Sequence, residues 1–97
     1  MTLFVLTHRA KADLTAIALF TEKHWGKEQR NQYIKQFDDA FHLLTASPLA
    51  GKDCGAIRAG YRKFPQGSHL IFYKTGTDST IEIIRILHKS MDVELQL

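Results

Sequence analysis

At 97 residues the chain is long enough for one hydrophobic core and short of the size at which chains divide into domains, so residues 1–97 read as a single domain. Apolar residues make up 44% and charged residues 24%, a globular balance that excludes wholesale disorder, and no apolar run approaches the roughly 20 residues of a membrane span. A net charge of +3 permits an acidic or nucleic-acid partner without demanding one, and a single cysteine, Cys54, excludes an internal disulfide.

The opening residues lack a basic leader and a small-residue cleavage site, so no signal peptide is expected, and with one cysteine the predicted location is cytoplasmic. Residues 3–6 form a short strand candidate, and Thr7 is a suitable N-cap for a helix after it. In that helix Ala10, Leu14, Ile17, Ala18, Thr21 and Trp25 recur every three or four residues as one core-facing stripe, with Phe20 off the stripe beside Asp13 and His24. Gly26 stands where a C-terminal stop belongs. A second helix begins at Lys27, with Arg30, Tyr33, Phe37, Ala40, Phe41 and Leu44 on its apolar face, and Ser47-Pro48 ends it. So short a link predicts an antiparallel helical hairpin, and the broad apolar faces argue against a coiled-coil dimer.

After a loop around Gly51, a strand is predicted over residues 56–64. A tight turn over Phe64-Pro65-Gln66-Gly67, a strand over 68–75, a turn over 76–79 and a last strand over 81–88 complete a meander. The fold class is α+β: strand, helix, helix, three antiparallel strands, with the helical hairpin packed on one face of a small antiparallel sheet. The run Ile81-Glu82-Ile83-Ile84-Arg85-Ile86-Leu87-His88 is the predicted spine. Strict alternation puts Ile81, Ile83, Arg85 and Leu87 on one face and Glu82, Ile84, Ile86 and His88 on the other, so both faces are apolar. The hairpin covers one face and only the tail remains for the other, which predicts a bare apolar patch and a partner to cover it.

Chemistry-bearing motifs are sparse. The histidines His8, His24, His42, His69 and His88 show no metal-ligand spacing, and Gly67-Ser68-His69 lacks the frame of a nucleophile elbow. The basic residues Arg58, Arg62, Lys63, Lys74, Arg85 and Lys89, with His69 and His88, could line a concave sheet face that binds and cleaves RNA. A histidine would then act as general acid or base and arginines would hold the developing charge. Ordinary solvated charges, some pairing with Glu82 or Asp78, are the plainer reading. The aromatics Trp25, Tyr33, Phe37, Phe41, Tyr61, Phe64, Phe72 and Tyr73 read mostly as core, and Phe20 and Phe64 are the best candidates for a partner interface.

Three stretches taken together resemble the ParE-type toxins of the RelE/ParE toxin–antitoxin superfamily. They are Ile57-Arg58-Ala59-Gly60-Tyr61-Arg62, Gly67-Ser68-His69-Leu70-Ile71-Phe72-Tyr73-Lys74 and Arg85-Ile86-Leu87-His88-Lys89-Ser90-Met91-Asp92. Ala12-Asp13-Leu14, Trp25-Gly26-Lys27-Glu28-Gln29 and Tyr33 agree with them. The resemblance implies a toxin that traps DNA gyrase on cleaved DNA, performs no catalysis and uses no cofactor. It also implies neutralisation by a cognate ParD-like antitoxin that carries its own DNA-binding domain, so the toxin alone needs no sequence-specific nucleic-acid contact. On that reading Phe20, Trp25, Phe37, Arg58, Arg62, Phe64 and His69 are assigned to the antitoxin, and Met91, Asp92, Val93 and Leu95 to gyrase. The alternative is the superfamily's ribosome-dependent messenger-RNA endonuclease branch, with Arg58, Arg62, Arg85 and His88 as catalytic residues. A degenerate toxin kept for its antitoxin contacts is a third possibility.

Overall fold

The computed structural model describes residues 4–91 and 93–97, without the side chains of Glu94 and Leu95. Strand β1 (Phe4–Leu6) leads into helix α1 (His8–Trp25) through Thr7. The Thr7 hydroxyl accepts from the Ala10 amide at 3.0 Å, capping the helix, and donates to the Ile84 carbonyl at 2.8 Å. One residue therefore ends a strand, starts a helix and binds both to the spine. Gly26, at φ +91°, is the only residue between α1 and α2 (Lys27–Ala46). A positive φ is cheap only for glycine, so a near-reversal fits into one residue. The helices fold back on each other: Arg30 pairs with Glu22, and Ile34 shares a recess with Leu14 and Ala18. Ser47 caps α2 as expected.

Strands β2 (Lys52–Asp53), β3 (Arg62–Gln66), β4 (His69–Thr75) and β5 (Ile81–His88) follow, and a single turn of helix, α3 (Val93–Gln96), closes the chain. The sheet has five strands in the order β1-β5-β4-β3-β2. It is mixed rather than wholly antiparallel, because β1 lies parallel to β5, with Phe4 opposite Ile81 and Leu6 opposite Ile83. The predicted strand over 56–64 shrinks to β3. Residues 54–61 instead form a closed loop, with the Cys54 amide donating to the Tyr61 carbonyl at 3.0 Å and Gly60 at φ +82°. The Asp53 carboxylate starts that loop by accepting from the Gly55 amide at 2.7 Å, a local bond that competes with strand pairing. The β3–β4 turn is also tighter than predicted: Pro65 stays in the ladder opposite Leu70, and only Gly67 and Ser68 turn.

The two-faced apolar spine has a specific explanation. Phe72 pairs with Arg85 but Tyr73 pairs with Ile83, so Ile84 is an extra residue, a β-bulge. The bulge reverses the facing of everything after it. Ile81, Ile83 and Ile86 all join Phe37, Phe41, Leu44, Ile71 and Tyr73 in the core beneath the helices, while Leu87 turns to the opposite face. That opposite face is not bare, which corrects the predicted patch. Phe72 and Leu87 are buried there under Cys54, Ile57 and Tyr61 of the closed loop and under Val93 and Leu97 at the chain's end. Loop and tail together cover the face that was expected to stay bare.

Candidate functional site

The exposed apolar surface lies instead at the helical corner. A groove of about 650 Å³ runs between α1 and the ends of β4 and β5. Ala16, Ile17, Phe20 and Thr21 form one wall, Trp25, Gln29 and Tyr33 the corner, and Ser68, His69 and His88 the strand side. Its size and apolar lining suit a bound apolar group. Along its rim stand Phe20, 56% exposed, and Trp25, 65% exposed. The Phe20 ring stacks on His24 with centroids 4.0 Å apart, and Trp25 tilts against both, so the three rings form a ridge. Trp25 continues the core-facing stripe by spacing, yet it is the last residue of α1 and is not covered.

The strand side of the groove is polar and ordered. His69 Nδ1 lies 2.8 Å from the Tyr33 hydroxyl, which donates to the Gln66 carbonyl at 3.2 Å. His88 meets His69 edge-on at 5.3 Å, and its Nδ1 accepts from the Ser90 amide at 3.1 Å. An acceptor at Nδ1 leaves the neutral His88 protonated at Nε2. Burial, and then the neighbouring His88, hold the His69 imidazole below its usual range, while the Asp13 charge opposes them. Gly67 makes this arrangement possible. Its φ is +59°, and a Cβ there would fall 2.6 Å from the Tyr33 hydroxyl.

The residues of the ribonuclease alternative are not brought together. Arg58 is exposed on the closed loop. Arg62 donates to the Gly51 carbonyl at 2.9 Å and to that of Leu49 at 3.4 Å, which ties down the α2–β2 connection. Arg62 registers opposite Tyr73, on the helix side, whereas Arg85 registers opposite Phe72, on the other side. Arg85 is itself committed: Nε and Nη2 reach the two oxygens of Asp13 at 2.7 and 2.9 Å, and Nη1 donates to the Gln96 carbonyl at 3.2 Å. Only His88 faces the groove.

Of the residues assigned to an antitoxin, Phe20, Trp25 and His69 line the groove. Phe37 does not: it is fully buried between Tyr33 and Phe41, and its assignment to a partner is corrected to core. Phe64 packs half-buried against the helix-side core, and Arg58, Arg62 and Phe64 are outside the groove lining. Of the residues assigned to gyrase, Met91 is exposed and Val93 packs on the second face. Asp92 and the Leu95 side chain lie outside the described residues. Tyr33, Ser68, His88 and His24 were not assigned to a partner from sequence. Phe20 and His24, four apart on a helix and off its core stripe, are the signal that could have marked the ridge. Among the described residues no three His, Cys, Asp or Glu side chains gather closely enough to hold a metal ion, and no helix is long and apolar enough to cross a membrane.

A strand, a helical hairpin and a bulged meander, with an aromatic-edged apolar groove at the hairpin's corner, define a small α+β domain. The chain belongs to the ParE toxin family of type II toxin–antitoxin systems (parDE), whose sequence profile matches residues 4–93. It is 38% identical over 94 residues to Toxin ParE1 of Mycobacterium tuberculosis, covering 97% of this chain and 96% of the relative. It is 39% identical over 92 residues to Toxin ParE1 of Caulobacter vibrioides, covering 95% and 94%. A solved structure titled as the chromosomal ParDE TA system from P. aeruginosa shares the fold at TM-score 0.73 and 20% identity, over 89% of this chain and 96% of that one.

Proposed function

We propose that this toxin acts in the cytoplasm by trapping DNA gyrase on cleaved DNA, and that a ParD-like antitoxin neutralises it by laying an apolar segment into the groove at the helical corner. The observation that carries this reading is likeness along nearly the whole chain to curated ParE toxins. The groove supports the antitoxin half of it: rim aromatics more than half exposed are costly on a lone domain and are what a protein partner uses as anchors. Phe20, Trp25 and His69 make that contact, while the surface around Met91 is left for gyrase. The endonuclease reading loses support from the placement of its residues, with Arg62 and Arg85 on opposite sides of the sheet and each held by structural bonds.

The test is to incubate the purified protein with gyrase and supercoiled plasmid and, in parallel, with translating ribosomes and messenger RNA. Gyrase-dependent linear DNA, suppressed by prior addition of antitoxin, is the expected result. Messenger RNA cut only in the presence of ribosomes, with gyrase unaffected, would overturn the gyrase half. Phe20→Ser with Trp25→Ser should weaken antitoxin binding and leave the fold's stability within about 1 kcal/mol, at about 0.5 kcal/mol for each exposed position.

A further inference from the structure

The strand side of the groove is chemically unlike its walls. Two imidazoles sit edge to face in a mostly apolar trough whose other polar lining residues, Thr21, Gln29, Tyr33 and Ser68, are uncharged, and none of the lining residues is acidic. Tyr33 and Gln66 already provide for a protonated His69: with Nδ1–H donating to the Tyr33 oxygen, the tyrosine hydroxyl still has the Gln66 carbonyl to donate to. The other ring nitrogen, Nε2, has no hydrogen-bond partner among the described residues. The charged and titratable groups facing this ring are few. Tyr33 comes from α2 and His88 from β5, and Asp13 of α1 acts from further off with its carboxylate engaged by Arg85. Lys89 is exposed one residue beyond His88, its amide fixed to the Ser68 carbonyl at 3.0 Å. The Nδ1 edge of His69 is thus matched whether the ring is neutral or charged, burial and His88 hold the free ring below its ordinary range, and the Nε2 edge is left for a partner.

We propose that the antitoxin segment in this groove presents a carboxylate among its apolar side chains, and that this carboxylate docks on the His69–His88 imidazole edge. This rests on the antitoxin reading above and names the chemistry of its contact. Charge complementarity selects that occupant: the lining holds two imidazoles and no carboxylate, and a purely apolar segment would fill the trough but leave Nε2 of His69 buried without a hydrogen-bond partner, a cost of about 1–3 kcal/mol. A carboxylate there favours the imidazolium, so forming the complex takes up a proton. Affinity then rises as pH falls through the window between the histidine pKa in the complex and its lower value in the free toxin.

The experiment titrates the full-length toxin with the ParD-like protein encoded beside it, measuring Kd by calorimetry from pH 8 to pH 6. Between the two histidine pKa values Kd should fall by up to about tenfold for each unit that pH drops. His69→Gln should flatten the profile, and so should exactly one Glu→Gln or Asp→Asn change in the antitoxin segment. Histidine NMR titration of the unmodified toxin, free and bound, gives a reading independent of any variant, and His69 should titrate higher in the complex. Tight binding with a flat profile, or His69 titrating lower when bound, overturns the carboxylate contact and leaves the antitoxin reading standing. No binding at any pH overturns both.

Discussion

Asp13→Ala should cost more stability than any other single change on the surface of α1. The Asp13 carboxylate receives Nε and Nη2 of Arg85 at 2.7 and 2.9 Å and the Ile86 amide at 3.0 Å, and the two side chains are only 15% and 11% exposed. It thus fills the ladder position that β1, three residues long, is too short to reach beyond Ile83. Removing it strands a guanidinium and an amide together. Breaking a buried pair from one side costs about 3–5 kcal/mol, and residual solvent access at both partners points to about 3. Against a domain stability of about 5–15 kcal/mol, that is a large fraction. In thermal terms it is a fall in Tm of about 12–24 °C, at about 4–8 °C per kcal/mol for a domain of this size. Urea denaturation followed by far-ultraviolet circular dichroism measures it. The double change Asp13→Leu with Arg85→Met should recover much of the loss, because no charge is then left buried. A loss below about 1 kcal/mol for Asp13→Ala, or a double variant as unstable as the sum of its singles, would refute the argument that this pair locks α1 to β5.

Gly67→Ala places a Cβ 2.6 Å from the Tyr33 hydroxyl at a φ of +59°, so about 1–2 kcal/mol of backbone strain adds to displacement of Tyr33, read as a lower Tm and a changed His69 NMR titration. Tyr73→Phe should lose about 1–3 kcal/mol in urea denaturation, since its hydroxyl donates to the Pro48 carbonyl at 2.7 Å and accepts the buried Gly51 amide at 2.8 Å. The pH dependence of the free toxin follows from His69. Its folded pKa lies below the ordinary 6.5, so the unfolded chain binds more protons in the window between the two values. Stability is therefore full above about 6.5 and declines as pH falls through that window. His69→Gln should remove this part of the slope in denaturation measured across pH.

What could be read from the sequence was local. Thr7, Gly26 and Ser47-Pro48 mark helix ends because capping and stopping depend on a residue and its immediate neighbours, and each stands where it was expected. Strand order was not local: nothing in Phe4–Leu6 says that it lies parallel to Ile81–Ile83 rather than at the sheet's far edge. The strand predicted over 56–64 holds only from Arg62 onward, because apolar Ile57 and Tyr61 were read as ladder residues. They are the buried side of a loop that Asp53, Gly55 and Gly60 bend closed. Trp25 failed differently. Periodicity reports which side of a helix a residue occupies, not whether another element reaches as far as the last turn.

The bulge at Ile84 was hidden for a further reason, and it governs the site. In a run of isoleucines a one-residue slip exchanges like for like, so the alternation looks the same with or without it. Strict alternation from Ile83 would have turned His88 away from the helices and set Arg85 among core residues. The extra residue instead leaves Ile86 under α1, moves Arg85 to where it meets Asp13, and brings His88 opposite His69 at the mouth of the groove. The irregularity that made the spine look apolar on both faces is thus the one that joins the two imidazoles. An open apolar groove stands at the helical corner, and the face where a bare patch was expected is closed by loop and tail.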